Sequence, residues 1–260
     1  MKKYVRIWKL LALQTAKIAF ESRLGAFLFI AGKLIRFLLF FLFILLIASR
    51  VELVGGYTLW QMIVFFAVFN LIDTITQLFL REVYRFRSYV VSGNFDNTLT
   101  KPMSPLFKSL FGGTDMLDLP MLFLSIGLIV VAVSHLDPIP LLYIIMFLVL
   151  LLNALFIAVA FHIFVLGLGI LTTEVDNTLW LFRDLVQMGR IPIEVYREPL
   201  RGFITFIIPV GIMVTFPVKA LMGLLSLQGV ILSITVGVLL LLLAIWFWQF
   251  SLRRYVSASS

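Results

Sequence analysis

Arg81-Glu-Val-Tyr-Arg-Phe-Arg-Ser-Tyr-Val-Val-Ser-Gly-Asn-Phe-Asp-Asn-Thr-Leu-Thr-Lys-Pro-Met-Ser-Pro105 is the longest polar interruption before the C-terminal half of the chain. It separates two strongly apolar blocks, is rich in arginine and lysine, and carries the punctuation of a helix, a break and a second helix. Leu80 to Val91 sets Arg81, Arg85 and Arg87 among Val83, Tyr84, Phe86, Tyr89 and Val90. That pattern suits the cytoplasmic continuation of an apolar span, with its arginines at lipid or at a partner surface. Ser92-Gly93-Asn94 breaks the helix. Asn94 or Asp96 is placed to cap a short second helix around Asn94–Leu99 by accepting hydrogen bonds from its free amides. Lys101-Pro102 ends it, because a residue before proline avoids helical geometry. Read from the residues alone, the stretch is either an ordinary solvated loop or a short helix held crosswise by two rigid ends.

The blocks on either side decide the class. The chain is 62% hydrophobic and 13% charged, with a mean hydropathy of +1.11. A soluble domain is about half apolar and about a quarter charged, so this chain has too little polar surface to dissolve. It reads as an integral membrane protein, with blocks long enough for helices rather than barrel strands. Having no cysteine excludes a disulfide framework and thiol-ligated metal. A net charge of +8 would suit nucleic acid in a soluble protein. Here the basic residues cluster at the ends of apolar blocks, so the positive-inside bias explains the charge without any nucleic-acid partner.

Residues 1–23 are basic and helical in pattern. Tyr4, Trp8, Leu11, Thr15, Ile18 and Ala19 share one face, with Lys2, Lys3, Arg6, Lys9 and Lys17 opposite and Leu10 and Leu13 interrupting the polar side. This predicts a helix lying in the cytoplasmic interface, with Trp and Tyr at headgroup level. A signal peptide fits less well, because the charged region is too long and no small-residue cleavage site follows. The first span is expected over 27–48, interrupted by Lys33 and Arg36. A centred charge costs about 3 kcal/mol, and snorkelling towards the cytoplasmic side would relieve it. A second span over 59–80 contains Asn70 and Asp73, a third covers 115–134, and a fourth apolar run covers 139–171.

The region from Thr172 to Gly223 allows two readings, because it mixes charges with prolines at 192, 199, 209 and 217. One is a cytoplasmic loop followed by a plain span at 203–224. The other is a fifth span at 176–191 followed by a broken re-entrant pair around Pro209-Val-Gly211, tolerated only where protein or a water-filled cavity covers it. The last span, 229–250, ends in Trp246, Trp248, Arg253, Arg254 and Tyr255, an aromatic belt followed by basic residues on the cytoplasmic side. With both termini inside, the count of spans is even, and six fits both readings.

No catalytic pattern emerges. The nearest approach to a phosphate-cradling Walker A loop, Gly25 to Leu34, has two residues too many between its glycines and Leu34 where a Mg²⁺-binding Ser or Thr is needed. It also lies in a span. His135 and His162 cannot make a metal site with nearby ligands: His135 falls at a membrane surface beside Asp137, and His162 stands alone on an apolar helix. Asn70 and Asp73 lie one turn apart, and an intramembrane carboxylate points to a proton relay, a polar pathway or a hydrogen bond to a neighbouring helix.

The run Phe86-Arg87-Ser-Tyr-Val-Val-Ser-Gly93-Asn-Phe-Asp96-Asn-Thr-Leu99-Thr-Lys-Pro102 resembles the first cytoplasmic loop of bacterial ABC-type export permeases of the second class, and within them a largely uncharacterised branch. Ile208-Pro209-Val-Gly211 with Phe216-Pro217, and the ending Leu252-Arg253-Arg254-Tyr255-Val-Ser-Ala-Ser259, add to the likeness, the last with Ser259 where glycine is the family's habit. The resemblance implies an all-α membrane protein of six spans with an interfacial N-terminal helix. It further implies a short coupling helix after the second span, within a cytoplasmic loop at 81–111, and an outer re-entrant segment at 192–223 containing Pro192, Pro209, Gly211 and Pro217. In that reading Arg87, Gly93, Asn94, Phe95, Asp96, Leu99, Lys101 and Pro102 meet an ATPase subunit. Lys33, Arg36, Asn70, Asp73 and His162 are then candidates for the pathway or its polar lining. It also implies two separate ATPase subunits carrying ATP and Mg²⁺, a second permease chain, homologous or identical, and no cofactor in this one. A bacterial cytoplasmic membrane is the expected location. A gradient-driven secondary transporter using Asp73, Lys33 and Arg36, and a non-transporting scaffold, are the rival readings.

Overall fold

The computed structural model describes residues 2–172 and 175–256, with side chains from Trp180 onward in the second stretch. The last four residues, Ser259 among them, lie outside it. Every regular element described is helical. The first half holds α1 (Lys2–Glu21), α2 (Arg23–Ala48), α3 (Leu59–Leu80), α4 (Phe86–Val91), α5 (Asp96–Leu99), α6 (Pro105–Phe111) and α7 (Leu119–Val133). The second holds α8 (Leu141–Thr172), α9 (Val175–Gln187), α10 (Leu200–Gly202), α11 (Phe216–Leu221) and α12 (Leu227–Arg253).

α3 is apolar apart from a stripe holding Asn70, Asp73 and Gln77, and the surrounding elements cover most of its residues. Phe65, Phe66, Phe69, Ile63 and Ile72 are fully buried, so α3 is the axis of the fold. A capping box between Thr58 and Gln61 starts it. α2 leans on it through Phe37 and Phe40, whose rings lie 4.8 and 5.3 Å from Phe66. The opposite face of α2, with Leu24, Phe27, Leu38 and Leu46, is exposed. α7 packs on α3, and α8 packs along α12. Such an array of long apolar helices belongs in a bilayer, and the chain is a multi-pass membrane protein.

Five of the described helices are long and apolar enough to cross a membrane. The stretch expected to form a further span over 176–191 departs from that picture. It folds as α9 with a 3-10 turn, Met188–Arg190. The 13 residues of α9 rise about 20 Å, short of a hydrocarbon core of about 30 Å. The reason is chemical: Arg183, Gln187 and Arg190 turn inward to a polar cleft, so this helix trades apolar length for a polar face. The chain still runs from end to end of the bundle here. Trp180 sits edge-on to Tyr84 at 6.3 Å at one end, and Val195 abuts Gly55 at the other.

Beyond it, Leu200–Ile207 and Gly211–Leu221 meet at an angle of 76°. Pro209 lacks an N–H and cannot continue a helical ladder, and π-helical turns flank it at Phe203–Ile207 and Gly211–Thr215. The bend is buried under Ile193, whose side chain touches the space beside Gly211. Lys219 donates to Glu194 at 2.9 Å, tying one end of the pair to the segment just before the other. Pro192 precedes the turn Ile193–Val195, and Pro217 lies in the first turn of α11.

α1 differs from its sequence reading. Tyr4 and Trp8, half-buried, pack against the chain's own loop. Ser104 N–H donates to the Tyr4 hydroxyl at 3.2 Å, and Trp8 Nε1 donates to Thr114 Oγ1 at 3.0 Å. Leu10, Leu13 and Ile18 are the exposed apolar residues instead. The interruption on the polar side is therefore the outward apolar face.

Candidate functional site

Two regions carry the polar residues that the sequence singled out. The first is the stretch after α3. Leu80 departs from helical geometry, and Arg81–Arg85 tightens into a 3-10 turn before α4 resumes. α4 ends at Val91, Gly93 takes φ +72°, and α5 is a single turn. Neither Asn94 nor Asp96 caps it: the N-cap is Phe95, without a side-chain hydrogen bond. Asn94 Nδ2 instead donates to Ser92 Oγ at 2.9 Å. What holds α5 is aromatic packing. Phe95 is buried, edge-on to Phe86 and to Tyr255 at 5.2 Å each and 6.4 Å from Trp248 of α12. Each such ring pair contributes about 0.5–1.5 kcal/mol beyond its buried area. Asp96 lies beside Tyr255, whose phenol is pushed up to about 12 by burial and by that carboxylate.

Thr98, also buried, accepts from Lys108 Nζ at 3.1 Å. Burial and the neighbouring Lys101 hold the Lys108 ammonium below its ordinary value. Pro102 O accepts from Lys3 Nζ at 2.8 Å, so α1 braces the far side of the turn. With the base fixed in this way, Arg87, Asn94, Leu99, Lys101 and Pro102 are left on the exposed surface.

The second region is a cleft of about 500 Å³, mouth included, between α2, α3, α7 and α9. It brings together Lys33, Arg36, Asn70 and Asp73 from the sequence reading, and adds Asp118, Arg183 and Arg190. Lys33 and Arg36 each find a partner on a neighbouring segment. Lys33 forms an ion pair with Asp118, which is only 1% exposed, and Arg36 Nη2 donates to Gln187 Oε1 at 2.9 Å. Asn70 donates to its own helix at Phe66 O, 2.7 Å away. Asp73 lines the cleft without an ion pair among the described residues, and Arg190 is sandwiched over Phe40 and Phe69. The cleft connects to the loop region. Gln77 donates to Tyr84 Oη and accepts from Arg81, each at 3.0 Å, and Arg81 reaches Asp115 at 3.6 Å.

His162 lies outside the cleft itself but lines an adjoining pocket that shares Asp73, Gln77 and Arg183 with it. Buried in α8, it shares a hydrogen bond of 2.8 Å with Ala158 O and sits edge-on to Phe182. Asp118, Arg183 and Arg190 escaped the sequence reading because Asp118 and Arg190 lie in short turns beside helices, and Arg183 stands in a stretch already rich in charge, where one more is unremarkable. Only the packing of α7 and α9 against α2 turns them inward. No group of three or more His, Asp or Glu able to hold a metal occurs among the described residues.

No curated protein and no solved structure matches the chain. The model of a family described as ABC-2 family transporter protein matches residues 34–259, from within α2 to the end of the last helix and past it. A chain of bundled apolar helices matched over nearly its whole length in this way is a member of that family, and this protein belongs to the ABC-2 family of transporter proteins.

Proposed function

We propose that this chain is the membrane-spanning permease subunit of an ATP-driven exporter, forming half of a translocation pathway and receiving force from a separate ATPase subunit. The observation that carries the reading is the turn at Gly93–Leu99. A four-residue helix is too short to stand alone, yet it is clamped on Phe86, Trp248 and Tyr255 and presents Asn94 and Leu99 outward. A rigid, exposed tip on two long helices suits docking into a groove of a nucleotide-binding partner. ATP, with Mg²⁺, is bound there and not in this chain. A partner that binds two membrane conformations unequally biases the equilibrium between them, as any ligand-driven switch requires. The contacts from Tyr84 through Gln77 and Arg81 to Asp115 offer a path from the tip to the polar cleft.

The expected complex contains two permease chains, identical or homologous, on two ATPase subunits. It sits in a bacterial cytoplasmic membrane with both termini in the cytoplasm. The test is co-purification in a mild detergent with and without a repulsive substitution at the tip. Leu99 is 37% exposed at the tip, and Leu99→Arg leaves the chain folded and monodisperse while the ATPase subunit is lost from the complex. Equal recovery of the ATPase with Leu99→Arg, or none with the unaltered chain, overturns the assignment.

A further inference from the structure

The cleft has an electrostatic imbalance. Lys33 is neutralised by Asp118, and Arg81 by Asp115. Arg36, Arg183 and Arg190 remain, within electrostatic reach of one another, with Asp73 the one carboxylate facing Arg190 among the described residues. Arg190 Nε, on the lining of the cleft, is buried without a hydrogen-bond acceptor, while the one orphan acceptor on that lining, Asp118 Oδ2, belongs to the carboxylate already paired with Lys33. Like charges at membrane depth are costly, and so is a buried donor left unmatched. An anion in the cleft would relieve both.

The cleft does not end at the arginines. Arg36, Phe40 and Arg190 also border a groove along the exposed side of α2, past Leu39 and Phe43. Phe43 in turn leads into an almost wholly apolar pocket of about 700 Å³, mouth included, between Ile44, Ile47, Met62 and Ile191. From Arg36 to Ile47 the helix rises about 16 Å, close to half of a hydrocarbon core of about 30 Å. A cationic recess opening onto an apolar track one leaflet long is the negative image of an amphiphile with an acidic head.

We propose that this track binds an anionic amphiphile, its phosphate- or carboxylate-type head against Arg36, Arg183 and Arg190 and its chain along α2 past Leu39 and Phe43. Guanidinium groups suit such a head because their planar donors match two acceptor oxygens at once. The identification of this ligand as cargo rests on the permease reading; its binding does not.

The chain in neutral maltoside detergent is titrated with lysophosphatidylglycerol, lysophosphatidylcholine and inorganic phosphate, with binding read by native mass spectrometry and thermal shift. Lysophosphatidylglycerol binds at least about tenfold more tightly than the zwitterionic lipid, and inorganic phosphate alone binds far more weakly than either for want of a chain. Arg36→Gln, at an exposed position, weakens lysophosphatidylglycerol by about tenfold, and the thermal midpoint of the unliganded variant reports any cost of losing its bond to Gln187. Asp73→Asn strengthens it, since a competing negative charge is gone, whereas Lys9→Gln on α1 changes nothing. Equal binding of the two lysolipids overturns the proposal. So does an affinity unmoved by Arg36→Gln and Arg183→Gln, or weakened by Asp73→Asn. In the complex reconstituted with its ATPase, release of the lysolipid during turnover marks it as cargo, and retention marks a resident bilayer lipid; the site stands in either case. Failure of the ATPase to co-purify removes the permease reading and leaves these affinities as they are.

Discussion

Phe95 shows how a single residue changes meaning between sequence and structure. In the sequence it is one apolar letter between two polar ones, in a stretch that reads as loop or short helix. In the fold it is the peg that fixes the stretch to α12, and the two expected caps turn out to serve elsewhere. The reason is distance along the chain: Trp248 and Tyr255 lie far beyond the reach of local pattern. Asp96 has likewise exchanged a capping role for contact with Tyr255, and this has a pH signature. The folded phenol titrates near 12 and an unperturbed one near 10. A raised value favours the neutral form, so the contact is fully present below pH 10 and is lost as pH climbs through about 12. The alkaline absorbance difference between the unaltered chain and Tyr255→Phe should therefore show a component titrating near 12, and Asp96→Asn should move it towards 10. A midpoint at the ordinary value in both chains would contradict the contact.

At the scale of elements, α8 and α12 show what apolar periodicity leaves unsaid. Both are apolar all round, so neither announces which face meets the other. Their seam is set by small residues and one polar pair. Asn153 Nδ2 donates to Ser233 O at 2.8 Å and to Ser233 Oγ at 3.1 Å, directly over Gly237. Close backbone approach at small residues is how helices associate where lipid is as apolar as leucine. A methyl group at Gly237 would collide with the Asn153 amide, while one at Gly127 of α7 meets nothing within 4 Å. Gly237→Ala should cost about 1–3 kcal/mol through overpacking and the broken amide contact. Gly127→Ala should be neutral or stabilising. Thermal unfolding of the two variants in one detergent checks the pair, and equal midpoints would show that the seam is not tight.

At the scale of the molecule, α3 was legible as an apolar block, but not as the most deeply buried of the described spans. Arrangement across the bilayer is open to direct test because the chain has no native cysteine. Asn94→Cys should react with an impermeant maleimide only from the cytoplasmic side, and Leu224→Cys, at the opposite end and 53% exposed, only from outside. Labelling of both from one side would overturn the arrangement of the spans. The sequence by itself determined the class: too few charges to dissolve, apolar runs long enough for helices, basic residues at their ends, and a glycine break followed by Lys-Pro. These are local properties of composition and spacing, and a linear pattern carries them. Only the tertiary structure decided that Lys33 pairs with Asp118 and that Arg183 and Arg190 turn inward on a helix shorter than a span. Only it showed that the aromatic face of α1 packs against the chain's own loop. A charge in an apolar run has several ways to lower its energy, and the choice among them depends on which partners distant helices bring within hydrogen-bonding reach.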